Sequence, residues 1–315
     1  MTALYEFLGV PFGALLRLIY NSIGFESYAI SIVLLTLLTR LITIPSTISQ
    51  QKGMAKTQRI QSKIRKIQTK YAGNQQKIQE ETTALYQREG YNPMNAGCTP
   101  MLFQFVILFG LIGAIYYPLS NFLTGITDAE IKLLSDAVAK VSTSKFASSS
   151  HLAELLIIQN IDQLQGIPGV SQATYEAIAG INFDFFGLFS LGDVPKDFGL
   201  HIIWAIPVLS FLSSMATSLY SQIKQKKNNP TMANNPMMGC MMFGMPLMSL
   251  YFVVSYPAGI GIYWIASSIF SFIITVVVGH FYSPKKTIAR IMVDETVARR
   301  SKEINTKQIA ANKNK

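Results

Sequence analysis

The chain has 315 residues, 50% of them hydrophobic and only 14% charged, with a formal net charge of +10 and a mean hydropathy of +0.30. Soluble domains carry about a quarter charged residues, so this balance excludes an ordinary soluble protein and points to the membrane. Two cysteines, Cys98 and Cys240, with no histidine inside the same apolar segments, imply neither a disulfide framework nor a metal centre, and no cofactor.

In chain order, residues 1–27 come first. From Phe12 the apolar residues fall at 12, 15, 16, 19 and 23, with Gly13, Arg17 and Asn21 opposite. That is helical periodicity, and it predicts an amphipathic helix lying in the outer membrane interface. Pro11 and Arg17 interrupt the apolar run and no A-x-A-like site follows it, which argues against a signal peptide. A span needs about 20 mostly apolar residues. Five segments qualify as transmembrane helices: 28–50, 94–117, 201–222, 237–256 and 260–282.

Between the first two spans, residues 51–92 read as a basic helical hairpin. Ile60, Ile64, Ile67 and Tyr71 form one stripe, Gly73-Asn74 is a stop followed by an N-cap, and Ile78, Thr82 and Leu85 form a second stripe. Its polar face, with Lys56, Arg59, Lys63, Arg65 and Lys66, suits anionic lipid or ribosomal RNA. Residues 118–200 form a long loop predicted to hold a small helical cap. Thr127 to Glu130 reads as a capping box opening a helix with Ile131, Leu134, Val138 and Val141 on one side. Further helical patterns lie around 152–164 and 172–179. Residues 223–236 are a basic loop, and the tail 283–315 is basic, with few apolar residues, expected to be disordered or loosely helical.

The charges orient these pieces. Segments 51–92, 223–236 and 283–315 hold 21 Lys or Arg, against 5 in segments 1–27 and 118–200. Basic residues favour the cytoplasmic side, so the N-terminus is expected outside and the C-terminus inside.

Span one contains Arg40 in "LLTLLTRLITIP". On a helix, Thr36, Thr39, Arg40, Thr43, Ser46 and Thr47 share one side. Arg40 lies ten residues from the predicted cytoplasmic end, about 15 Å at 1.5 Å per residue, beyond the reach of its side chain. No predicted span contains Asp or Glu. An intramembrane charge normally faces a bundle interior or a water-filled cavity, so Arg40 reads either as a receptor for an acidic or polar client, or as a structural arginine bonded to backbone carbonyls and Gln104. Proton- and cation-coupled transport and voltage sensing need more ionisable residues than the spans supply. Hydrolysis needs a base or metal ligands, so catalysis is not expected. Six methionines in span four suggest an adaptable apolar surface or ordinary core.

The blocks "LLTLLTRLITIPSTISQQ", "IQTKYAGNQQKIQEETTALYQREGYNPMNAGCTPMLFQF" and "MMFGMPLMSLYFVVSYPAGIGIYW" together resemble the YidC family of membrane protein insertases in its five-span form. The resemblance implies an all-α polytopic membrane protein of the bacterial cell membrane, five transmembrane helices around a hydrophilic groove. Arg40, Thr36, Thr43, Gln104, Tyr263 and Trp264 would line the groove that holds the client. An apolar path is implied along spans three and five, with Met241, Met245, Ser214 and Ser268 beside it. Nascent membrane proteins, the ribosome and anionic lipid are the implied partners, with the Sec translocon as an open addition; nothing points to DNA. A channel or lipid pathway through the same groove, and a folding chaperone for inserted helices, stand as alternatives. The loop 118–200 is longer than in typical five-span members, and the start has no evident lipoprotein cysteine.

Overall fold

The computed structural model describes residues 2–90, 99–141, 152–228 and 236–313. Its α-helices are α1 (Thr2–Ser22), α2 (Tyr28–Ile42), α3 (Ile44–Lys70), α4 (Gln75–Arg88), α5 (Thr99–Tyr116), α6 (Pro118–Asn121) and α7 (Asp128–Val141). They continue with α8 (Ala153–Gln159), α9 (Gln172–Ala179), α10 (Ala205–Asn228), α11 (Pro236–Ser255), α12 (Ala258–Phe281) and α13 (Pro284–Lys313). Among the described residues the β-structure is one isolated bridge, Asp184 to Ser190. The chain is an all-α, multi-pass membrane protein. Helices at Ile202–Lys224 and Ala258–Phe281 are long and apolar enough to cross a membrane, and Tyr28–Ile42 with Ile44–Gly53 make a third if taken as one broken span. The apolar parts Phe105–Tyr116 and Pro246–Ser255 are shorter. The predicted start of span two and Cys98 lie outside the described residues, as do residues 229–235 of the loop 223–236; of Cys240 only the backbone on α11 is described.

The chain forms two compact units. The first comprises residues 1–43, 102–226 and 231–272. Here α1 is longer than its amphipathic pattern, which starts at Phe12. Leu16, Ile19 and Tyr20 are buried, whereas Leu15, Leu18 and Ile23 stay exposed. The helix packs on α2 and α6. Gly13 permits this approach, because a Cβ there would sit 2.2 Å from the carbonyl oxygen of Asn121. Ser27 caps α2, its hydroxyl accepting from the Ile30 amide at 3.5 Å. Buried Tyr28 donates its hydroxyl to the Ala114 carbonyl at 2.7 Å and packs its ring on Phe122 and Phe183.

The predicted span 28–50 breaks at Thr43, where α2 ends and α3 begins. Pro45 is the physical reason: it has no N–H to donate to the Leu41 carbonyl, and proline is best tolerated in a first helical turn.

The described residues of the loop 118–200 fold as a small helical cap. The capping box is formed: the Thr127 amide donates to Glu130 Oε2 at 3.0 Å and the Glu130 amide to Thr127 Oγ1 at 3.3 Å. Glu130 Oε1 also accepts from the Ser171 amide and the Thr174 hydroxyl, at 3.0 and 2.8 Å, tying α7 to the start of α9. Leu134, Val138, Ile157, Leu164 and Ile178 are buried in one apolar cluster. Glu154, on α8, accepts from the amides of Leu119 and Ser120 at 2.7 and 3.1 Å and from the Ser120 hydroxyl. The loop carbonyls of Asp193 and Leu191 accept from Ala258 and Gly259 at 2.8 and 2.9 Å, satisfying donors at the start of α12.

The second unit comprises residues 44–101, 227–230 and 273–315. Helices α3 and α4 make the predicted hairpin. Gly73 turns the chain at φ +89°, and Asn74 caps α4, its Oδ1 accepting from the Lys77 amide at 3.0 Å. Ile60 and Ile64 are buried, while Ile67, Tyr71, Ile78, Thr82 and Leu85 are half-buried. The tail is helical: α13 packs along α3, and Lys52 lies over the Tyr282 ring, 5.7 Å from its centroid.

Candidate functional site

Arg40 is one residue position from the buried Thr39 on α2 and is itself half-buried. Its guanidinium donates to the hydroxyl of Ser267 on α12, which is 6% exposed. Tyr263, one helical turn earlier on α12 and also buried, lies within electrostatic range of the same guanidinium. The four-residue spacing of Tyr263 and Ser267 puts both on the α12 face that meets Arg40.

The threonines of α2 satisfy themselves locally. Thr36 Oγ1 donates to Ile32 O at 2.7 Å, Thr39 Oγ1 to Thr36 O at 2.8 Å, and Thr43 Oγ1 to Arg40 O at 2.9 Å. Such back-bonds occupy the hydroxyl without needing another helix. A second group of hydroxyls bridges helices. Ser249 on α11 lies 3.3 Å from Ser210 and 3.4 Å from Ser214 of α10. Ser214 in turn lies 3.2 Å from Ser268 on α12, and Thr217 donates to the Ser268 carbonyl at 3.3 Å.

Trp264, whose ring lies edge-on to that of Tyr263 at 6.2 Å between centroids, lines an apolar cavity of about 480 Å³ between α5, α11 and α12. It stacks on Phe252, with 6.0 Å between centroids and 10° between planes.

Of the residues singled out from the sequence, Arg40 and Tyr263 are brought together, with Thr36 and Thr43 on the same helix as Arg40. Ser214 and Ser268 are brought together in the inter-helix ladder. Gln104 lies on α5 and Met241 and Met245 on α11, but their side chains lie outside the described residues, as do those of Lys56 and Arg59. Lys63, Arg65 and Lys66 are exposed on α3, and Lys63 pairs with Glu89. Ser267 is one of several hydroxyls in residues 260–282, and sequence reasoning gave it no role. It passed over Ser249, a lone serine in a methionine-rich span.

The family model described as "60Kd inner membrane protein" matches residues 18–286. Membrane protein insertase MisCA of Bacillus subtilis is 24% identical over 84% of this chain and 75% of its own length. Membrane protein insertase YidC of Clostridium perfringens is 39% identical over 45% of this chain. The chloroplastic inner membrane protein ALBINO3 of Arabidopsis thaliana is 28% identical over 78% of this chain. The matches span 59% of the Clostridium protein's length and 45% of ALBINO3's. This chain belongs to the 60Kd inner membrane protein family, the family of the YidC proteins.

Proposed function

We propose that this protein is a membrane protein insertase whose Arg40 captures the polar external segment of a nascent membrane protein. The single observation that carries the reading is a guanidinium half-buried on an apolar helix and hydrogen-bonded to a buried serine of a second span. The names of the relatives support the same activity.

In this reading the groove around Arg40 opens to the cytoplasm, with the N-terminus outside and the C-terminus inside the bacterial cell membrane. The ribosome presents the client to the basic hairpin and tail, where Lys63, Arg65 and Lys66 are exposed; anionic lipid is a second partner for this surface, and the Sec translocon a further one. A polar group entering hydrocarbon without partners costs several kcal/mol. A fixed cation lowers that barrier for an acidic or polar segment. The client's apolar helix then leaves sideways into lipid. Hydrophobic transfer drives this step, aided by the membrane potential at about 2.3 kcal/mol per charge per 100 mV.

The test is rescue of insertase-depleted cells by Arg40 variants, read as insertion of clients with acidic external segments. Arg40→Ala and Arg40→Glu are expected to lose insertion, Arg40→Glu the more severely. Arg40→Lys should keep part of it if charge dominates, and lose it if the guanidinium fork is needed. Wild-type rescue by Arg40→Glu would sink electrostatic capture.

A further inference from the structure

Two turns of the first unit each present an exposed phenylalanine, Phe25 at 84% and Phe186 at 71%. We propose that these two side chains insert into the lipid interface at the end of the unit where α2 and α12 begin, and so fasten the α1–α2 turn and the loop 118–200 to the membrane surface.

Among the described residues, the non-glycine residues with positive φ are Phe25, Glu26 and Phe186, at +51°, +51° and +50°. Glycine takes this left-handed conformation without steric cost, whereas a bulky side chain there is an outlier. Packing within the protein does not account for phenylalanine at these turns. The Phe186 ring meets Phe185 edge-on, with 5.0 Å between centroids, and otherwise stands in the open, as Phe25 does. A large apolar side chain kept at a strained turn without burial points to a contact outside the chain.

Hydrogen bonds fix the level of both turns. The Tyr28 amide, at the start of α2, donates to the Asn182 carbonyl at 3.1 Å, and the Gly259 amide, at the start of α12, donates to the Leu191 carbonyl at 2.9 Å. Asn182 and Leu191 bracket a tight hairpin. In it the Phe185 amide donates to the Phe189 carbonyl and the Leu191 amide to the Phe183 carbonyl, both at 2.9 Å. Its legs are buried through Phe183 and Phe189, and its tip, Phe186-Gly187-Leu188, is exposed. The tip therefore lies within a few residues of the starts of α2 and α12, and Phe25 stands just before the start of α2. The apolar surface continues into Ile23, Leu188 and Ile202, each more than half exposed. Ile202 opens the helix Ile202–Lys224, which is long and apolar enough to cross a membrane. That continuity identifies the partner as lipid. The depth is limited, because irregular backbone does not occur where hydrocarbon is exposed to it, while interfacial apolar side chains reach about 5–10 Å into the headgroup and acyl boundary. Glu26 and Asp184, exposed in the same turns, supply no attraction to anionic headgroups, so a zwitterionic lipid suffices. This surface is independent of Arg40 and of the insertase reading.

The test uses the full chain with its two tryptophans replaced, Trp204→Phe and Trp264→Phe, and one reporter added, Phe186→Trp or Phe25→Trp. Each protein is reconstituted into phosphatidylcholine vesicles whose acyl chains carry bromine at a shallow or a deep carbon, or into plain vesicles with iodide on both sides of the bilayer. Shallow bromine is expected to remove most of the emission at both positions, deep bromine less, and iodide little. Quenching by iodide alone would place the turns in water. Resistance to all three quenchers would place them against protein, a second copy included, and stronger quenching by deep bromine would place them beside the spans. Each of these results overturns the proposal. The unsubstituted protein gives a second readout that does not depend on how the reporters fold. In phosphatidylcholine vesicles doped with a lipid carrying a photoactivatable diazirine near its headgroup, adducts are expected at Phe25 and within residues 185–188. Adducts on the apolar helices with none at these two turns would overturn it equally.

Discussion

Raising the pH from 4.5 to 8 should loosen the helical cap of the loop 118–200, and Glu154 sets both the sign and the size of the effect. The residue is 5% exposed. Burial pushes its carboxyl up to about 7 from an ordinary 4.5, against the pull of the Ser120 hydroxyl and the Ser120 and Leu119 amides, while Asp128 adds repulsion. Desolvation therefore outweighs three hydrogen bonds. Between pH 4.5 and 7 the folded cap binds a proton that the open chain has released, so stability falls as pH rises through this window and levels off above 7. At about 1.36 kcal/mol per unit, the full change is about 3 kcal/mol.

Hydrogen exchange at the Leu119 and Ser120 amides, corrected for the intrinsic pH dependence of exchange, reads this directly. Protection should fall by about two orders of magnitude between pH 4.5 and 8. Glu154→Gln, neutral at every pH and still an acceptor, should hold the acid-form protection throughout. Glu130 works in the opposite sense. The Thr127 and Ser171 amides, with the Thr174 and Thr127 hydroxyls, hold its carboxyl down to about 2. Its stabilisation is present above pH 4.5 and is lost as pH falls toward 2, which leaves the cap best protected near 4.5. Protection at Leu119 that rises from pH 5 to 8 would refute the reasoning, since Glu154 would then be an anionic cap rather than a buried acid.

Two further outcomes follow from packing. Gly13→Ala brings a Cβ to 2.2 Å from a backbone oxygen of Asn121, which must move; thermal unfolding of the purified protein should show a loss of about 1–3 kcal/mol. Ser249→Ala removes the hydroxyl shared by Ser210 and Ser214 and should cost about 0.6 kcal/mol, the average for inter-helix bonds in a membrane. Combined with Ser214→Ala, the two losses should be less than additive, because both delete the same contact.

Local signals in the sequence translated directly into structure. The Thr127–Glu130 box, the Gly73-Asn74 turn and the helix at 172–179 need only residues three or four apart. The isoleucine stripe of the hairpin was legible because Ile60 and Ile64 carry an unambiguous period. The tail was not. Ala55, Gln51 and Thr287 are all buried, and small or polar residues at a helix contact leave no hydrophobic pattern, so α13 read as loose chain. The break at Thr43 was written in Pro45, yet an apolar stretch of span length masked it. Ser267 lies 227 residues from Arg40; no spacing rule reaches that far, and only the folded bundle chooses it among the hydroxyls of α12.

The hydroxyls also separate two roles that polarity alone merges. In hydrocarbon every donor must be satisfied within the protein. Thr36, Thr39 and Thr43 meet this demand on their own helix, one turn back, and Thr36 is fully buried. A hydroxyl so committed has little to offer an incoming segment. A guanidinium carries five N–H donors and a charge that no rotation removes, so under the proposed function recognition of a polar client concentrates at Arg40. Thr36→Val, which keeps the branched shape and deletes only the back-bonded hydroxyl, should therefore leave insertion of acidic clients close to wild type while Arg40→Glu abolishes it. Equal loss in both variants would mean that the polarity of the α2 stripe, and not the fixed charge, carries the capture.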